Sequence, residues 1–255
     1  MNAFIEVADV SLHFRTHLQH PTTLKDAVLS RLGRRKNATQ RGLQEIQALR
    51  DISLSVATGE RVGIIGHNGA GKSTLLRVIC GIYRAQRGSI RRHGFLVPLL
   101  RAGASFNAEL TGRENVLQTA AVLGMSHYEM ESQLDAILEF AEVSELADMP
   151  IKYYSTGMAT RLAFSSVTSV SPDILVLDEA FGGGDLAFQG KAQRRVDALL
   201  ARTEIIIMAS HRLEVVESMC TRAVWMTRGR IVMDGAAPEV VQAYRSKMSG
   251  AANAA

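Results

Sequence analysis

Residues 63–74 read GIIGHNGAGKST, placing Gly66-x-x-x-x-Gly71-Lys72-Ser73 between the apolar run VGII (62–65) and the helical pattern LLRVICGIY (75–83). A strand, a glycine-rich turn and a helix in that order bring backbone N–H groups onto phosphate oxygens, and the positive end of the helix adds to the same field. The cradle is expected to comprise Gly66, His67, Asn68, Gly69, Ala70, Gly71, Lys72, Ser73 and Thr74. In it, Lys72 reaches the β- and γ-phosphates of a nucleotide and the Ser73 hydroxyl ligates magnesium.

A metal held by one hydroxyl and phosphates calls for a carboxylate nearby, usually through water. The run ILVLDEA (174–180) supplies one, because a buried strand would carry Asp178 to the C-terminal edge of a parallel sheet, where such sheets place their ligands. Glu179, next in line, can polarise a water attacking the γ-phosphate; the bland alternative is a pair of helix-capping acids. His211 follows another apolar run, TEIIIMAS (203–210), and can hydrogen-bond the γ-phosphate and report its presence. KYYSTGMATRLAF (152–164) contains no paired acids or metal ligands, yet opens a helix at Ser155 with a side-chain-free approach at Gly157. This end of a helical segment is expected to lie too far from its own chain's nucleotide. A two-fold dimer, in which each copy's Ser155–Gly157 caps the nucleotide of the other, resolves the difficulty.

The remaining chain fits one large α/β unit. It has 255 residues, 47% of them apolar, enough for a sizeable core. No apolar stretch approaches the roughly 18 to 20 residues needed to cross a bilayer, and MNAFIEVADV lacks the marks of a signal peptide, so a cytoplasmic protein is expected. Cys80 and Cys220 read as reduced core thiols. The net charge of +4 is mild, but basic residues gather at 31–41 (RLGRRKNATQR) and 87–94 (RGSIRRHG). A solvated surface, nucleic acid and an anionic membrane face all remain open for them.

AFIEVADVSLHF (3–14) reads as an edge strand, and LRDISLSVATGERVGIIG (49–66) as two strands joined at Thr58-Gly59-Glu60. Between them, at about 18–45, Leu24, Ala27, Val28 and Leu32 recur at helical spacing behind Thr23, an amphipathic insertion that either coats the domain or faces a partner or membrane. A hairpin is expected around Gly88. From about 105 to 168 the pattern is helical only, with a capping box at Ser126–Glu129 and one apolar face from Met130, Leu134, Ile137, Leu138 and Ala141. Strands and helices alternate after Pro172, as parallel sheets require, and 246–255 is expected to be a flexible tail.

The order of phosphate loop, helical segment, Ser-x-Gly helix start, Asp-Glu strand end and histidine resembles that of the ATP-binding cassette (ABC) ATPases, over roughly residues 3–235. The resemblance implies a single cassette over 1–245: a RecA-like parallel sheet, an antiparallel β part and an inserted α-helical subdomain, binding ATP and Mg2+. It also implies that Phe14 stacks on adenine and that Asp185 bridges subunits near the phosphates. YSTGM (154–158), ELTGRENV (109–116), GDLAFQGKA (184–192) and the insertion after Phe14 are similar to exporters of bacterial surface polysaccharide, whether O-antigen, capsule or teichoic acid. For such a protein one expects a homodimer, a separate polytopic membrane permease, a lipid-linked polysaccharide cargo, O-antigen first, and a peripheral place on the cytoplasmic face of the inner membrane. Nucleic acid is not expected, since non-transport relatives usually carry two cassettes or long coiled coils. A phosphate-loop kinase would leave Ser155 and His211 without a role. Two positions depart from the family pattern: Arg101-Ala102 stands where a glutamine usually lies, and Gly-Gly-Gly-Asp replaces the commoner loop around Asp185.

Overall fold

The computed structural model describes residues 2–17, 43–99, 106–178 and 186–252. Strands β1 (Phe4–His17), β2 (Leu43–Ala57) and β3 (Arg61–Ile65) lead into helix α1 (Lys72–Ile79), followed by β4 (Arg87–His93) and β5 (Leu96–Leu99). Helices α2 (Gly112–Leu123), α3 (His127–Glu131), α4 (Leu134–Ala141) and α5 (Thr156–Val167) come next, with two short 3-10 turns before α5. The chain then alternates: β6 (Ile174–Asp178), α6 (Leu186–Arg202), β7 (Ile205–Ala209), α7 (Leu213–Met219), β8 (Arg222–Thr227), β9 (Arg230–Ala236) and α8 (Ala237–Ala252).

These strands form two sheets, a three-stranded antiparallel one ordered β2-β1-β4 and a six-stranded one ordered β5-β6-β7-β3-β8-β9. The larger sheet is parallel except for β9. Its central strands are apolar on both faces, and the two-residue period sorts their side chains between two cores. Ile65, Leu175, Leu177, Ile206 and Met208 share one core with apolar residues of helices α2 to α8, whereas Ile64, Ile174, Val176, Ile205 and Ile207 share the other with α1 and the smaller sheet. Each of the five parallel strands therefore delivers its C-terminal residue to one shared edge, sandwiched between two apolar layers. This is the α/β fold class expected from the sequence.

Three local expectations are corrected. β1 is the central strand of its sheet, not an edge; its mixed alternation reflects register shifts around Val10, opposite a β2 that also bends, with Asp9 and Asp51 both at positive φ. Gly88 makes no hairpin but lies inside β4, whose partner is β1, some eighty residues earlier in the chain and invisible to local pattern. The apolar face from Met130 to Ala141 is buried as expected, yet it spans two helices interrupted at Ser132–Gln133. Helix α8 runs from Ala237 to Ala252. It is anchored by buried Val240 and Val241, by Tyr244 edge-on to Trp225 and by Arg245 on Glu217 at 2.9 Å. The amphipathic helix of the insertion lies outside the described residues. Cys80 and Cys220 are free thiols, both pushed up to about 12 by burial, which removes thiolate reactivity.

Candidate nucleotide site

The loop between β3 and α1 is shaped by close backbone packing. Gly71, the residue before α1, has φ 105, and a Cβ there would lie 2.7 Å from the Ala48 carbonyl oxygen of β2; a Cβ on Gly66 would collide with the Met226 carbonyl of β8. Strands of both sheets thus press on the loop from behind, and the Ala70 N–H closes a turn within it on the His67 carbonyl at 3.1 Å. The loop from Asn68 to Thr74, together with Asp178 and Ala209, encloses a concavity of about 250 Å³. Lys72 folds back over it, donating to the carbonyls of Gly66 at 2.7 Å and His67 at 3.2 Å. Burial lowers the Lys72 pKa, and the Asp178 carboxylate opposes part of that shift.

The loop and the strand end expected to share a metal do meet. Ser73 Oγ donates to Asp178 Oδ1 at 3.1 Å across 105 residues of sequence. Asp178 is the last residue of β6 and pairs in register with Ala209, the last residue of β7. Two residues on, His211 is exposed; with Asp178 it lines a second, larger concavity of about 520 Å³ between α6 and α7, floored by Leu177, Met208 and Val215.

The Ser155 helix start forms as read. Ser155 caps α5, its hydroxyl accepting from the Met158 N–H at 3.2 Å, and Ser155, Thr156 and Gly157 are all exposed. A Cβ on Gly157 would meet nothing nearer than Ser155 Oγ at 3.9 Å. Beneath it, buried Tyr154 donates to the Leu146 carbonyl at 2.6 Å and fixes where the helix begins. Neither concavity is lined by Ser155 or Gly157. Phe14 is 39% exposed on β1, opposite Ile46, and stands edge-on to Tyr83 at 5.4 Å. Tyr83 carries no local motif that would have singled it out. Glu179, Asp185, Arg101 and Ala102 lie outside the described residues.

A family model described as ABC transporter matches residues 49–182, which contain the phosphate loop, α5 and the Asp178 strand end. The chain belongs to the ABC transporter ATPase family. This cassette is 47% identical over 198 residues to the ABC transporter protein AbcA of Aeromonas salmonicida, covering 78% of this chain and 64% of that one, just under two thirds of the relative's length. It is 39% identical over 202 residues to the O-antigen export system ATP-binding protein RfbB of Klebsiella pneumoniae, covering 79% and 82%. To the teichoic acids export ATP-binding protein TagH of Enterococcus faecalis it is 39% identical over 199 residues, covering 78% and 44%. Among solved structures, an ATP-binding subunit of an ABC transporter superposes with TM-score 0.66 at 22% identity, covering 94% of this chain and 93% of that one. A dimeric ATP-binding cassette in a post-hydrolysis state bound to ADP and Pi does so with TM-score 0.64 at 18% identity, covering 91% and 98%. Those two likenesses bear on fold alone. Among the described residues, no helix of this cassette is long and apolar enough to cross a membrane.

Proposed function

We propose that this cassette is the ATP-hydrolysing subunit of an exporter of lipid-linked surface polysaccharide, with O-antigen as the cargo. The observation that carries the chemistry is the Ser73–Asp178 contact at 3.1 Å on the rim of the phosphate concavity. An alcohol and a carboxylate at that spacing are hard oxygen donors suited to magnesium. Bound there with nucleotide, the ion would neutralise charge on the β- and γ-phosphates. Lys72 exchanges the Gly66 and His67 carbonyls for phosphate oxygens, and Phe14 takes the adenine. Glu179, one residue beyond Asp178, polarises the attacking water, and His211 contacts the γ-phosphate. The exposed Ser155–Gly157 helix start of a second copy closes the site, with Asp185 near the junction, so the working unit is a homodimer. It acts at the cytoplasmic face of the bacterial inner membrane, against a polytopic permease.

Cargo rests on the relatives, and the equal 39% identities to an O-antigen and a teichoic acid exporter sustain a second reading, teichoic acid export. Disrupting the gene in its host should retain lipid-linked polymer inside the cell and strip it from the surface. Sugar analysis of the retained polymer separates the two cargoes; normal surface polymer would refute both.

A further inference from the structure

One residue, through its N–H and its carbonyl, connects the phosphate loop to the strand that faces Phe14. The turn between β8 and β9 holds Arg228 and Gly229, both at positive φ, 49 and 78. The Gly229 N–H donates to the Ala70 carbonyl of the phosphate loop at 2.9 Å, and the Gly229 carbonyl accepts from the Arg50 N–H of β2 at 2.8 Å. There is no space for a side chain: a Cβ on Gly229 would lie 2.6 Å from the Ala48 carbonyl oxygen and 3.2 Å from Leu49 Cα. The same Ala48 carbonyl bounds Gly71 in the loop. Four residues before Arg50, β2 reaches Ile46, the register partner of Phe14. From β2 to the phosphate loop the path therefore runs through backbone alone, with no rotamer to absorb displacement.

We propose that Gly229 is a positioning residue for the nucleotide, fixing the spacing between the base-stacking strands and the phosphate loop. The inference rests on the reading that adenine stacks on Phe14. A ligand held at both ends gains affinity from the second contact only while the two half-sites keep the spacing the ligand spans. Gly229 sets that spacing; loosening it should separate base binding from phosphate binding rather than weaken both alike.

Calorimetry on the whole chain with magnesium, comparing ATP and inorganic tripolyphosphate, reads this directly. For the parent protein, ATP is expected to bind at least about tenfold more tightly than tripolyphosphate. In Gly229→Ala that ratio should collapse towards one while tripolyphosphate affinity stays close to the parent value; Arg228→Gly, which keeps the turn, should retain the ratio. A high parental ratio unchanged in Gly229→Ala would overturn the role of Gly229 alone, as would equal losses for both ligands. A parental ratio near one would remove the base-stacking reading and this inference with it. Should Gly229→Ala not fold, amide exchange on the parent protein still decides: magnesium tripolyphosphate, touching only the loop, should slow exchange at the Arg50 N–H, and an unchanged rate there would refute the connection.

Discussion

Lys72 and Gly157 face opposite requirements in the proposed dimer. The Lys72 ammonium is disfavoured by burial until an anion arrives, so phosphate binding should raise its pKa again. The sign is fixed: with the free-state pKa depressed, Lys72 begins to lose its proton at lower pH than an ordinary lysine, and ATP binding there must take the proton up. ATP affinity should fall on the alkaline limb, with proton uptake visible as buffer-dependent binding heats; heats independent of buffer on that limb would contradict it. At Gly157, which has open space around it, the proposed cross-subunit cap would require that no negative charge be added. Gly157→Asp should leave each monomer able to bind ATP but abolish ATP-driven pairing in light scattering, and dimers forming as usual would count against the cross-subunit cap. Glu179→Gln should lower turnover on the order of 10² to 10⁴ while ATP remains bound; hydrolysis near the parental rate would assign the water-polarising role elsewhere. Lys72, Ser73 and Asp178 were legible because their chemistry is tied to type and spacing. Gly229 and Tyr83 were not, since what they touch, Ala70 and Phe14, comes from distant chain.

At the scale of elements, helix ends were read better than strand partners. The Ser126–Glu129 capping box is present, and Thr111–Glu114, the same pattern at the head of α2, forms another that the sequence reading passed over. Both glutamates are acidified, Glu114 chiefly by the Thr111 N–H and Glu129 chiefly by the Ser126 hydroxyl. A depressed carboxylate pKa stabilises the fold above its unfolded value and ceases to do so as pH falls through the folded one. Helical signal from α2 and α3 should therefore weaken below the ordinary glutamate range, and far-UV circular dichroism of Glu114→Gln should show less of that acid dependence. Caps are local, spelled out within four residues. β1 failed as an edge strand because strand order depends on β4, whose place is set by folding rather than by neighbours in sequence.

Across the whole molecule, Arg222 fastens the two sheets. It donates to both Asp234 oxygens at 2.6 and 2.7 Å, to Glu60 at 3.0 Å and to the Ser55 carbonyl at 2.9 Å, joining β8, β9, β2 and the turn before β3. Asp234 above all raises the Arg222 pKa, so the network persists across the physiological range. The side chains are about a quarter to a third exposed, which limits the gain from Coulomb attraction. Arg222→Met should cost about 1–2 kcal/mol, most of it from the bidentate hydrogen bonds, and lower the melting midpoint by roughly 2–8 °C. A midpoint within a degree of the parent would mean that Arg222 adds nothing measurable to the joint between the sheets.

His17 of β1 pairs with Leu43 of β2. The ribbon therefore stays paired to its end, and the two residues that flank the segment 18–42 in sequence lie side by side. Exchanging it for a shorter or longer one changes mainly a loop-closure entropy that grows slowly with length. The phosphate loop can accordingly stay as it is while this stretch of chain changes, and a cassette grafted with a relative's segment here should keep its own ATP affinity.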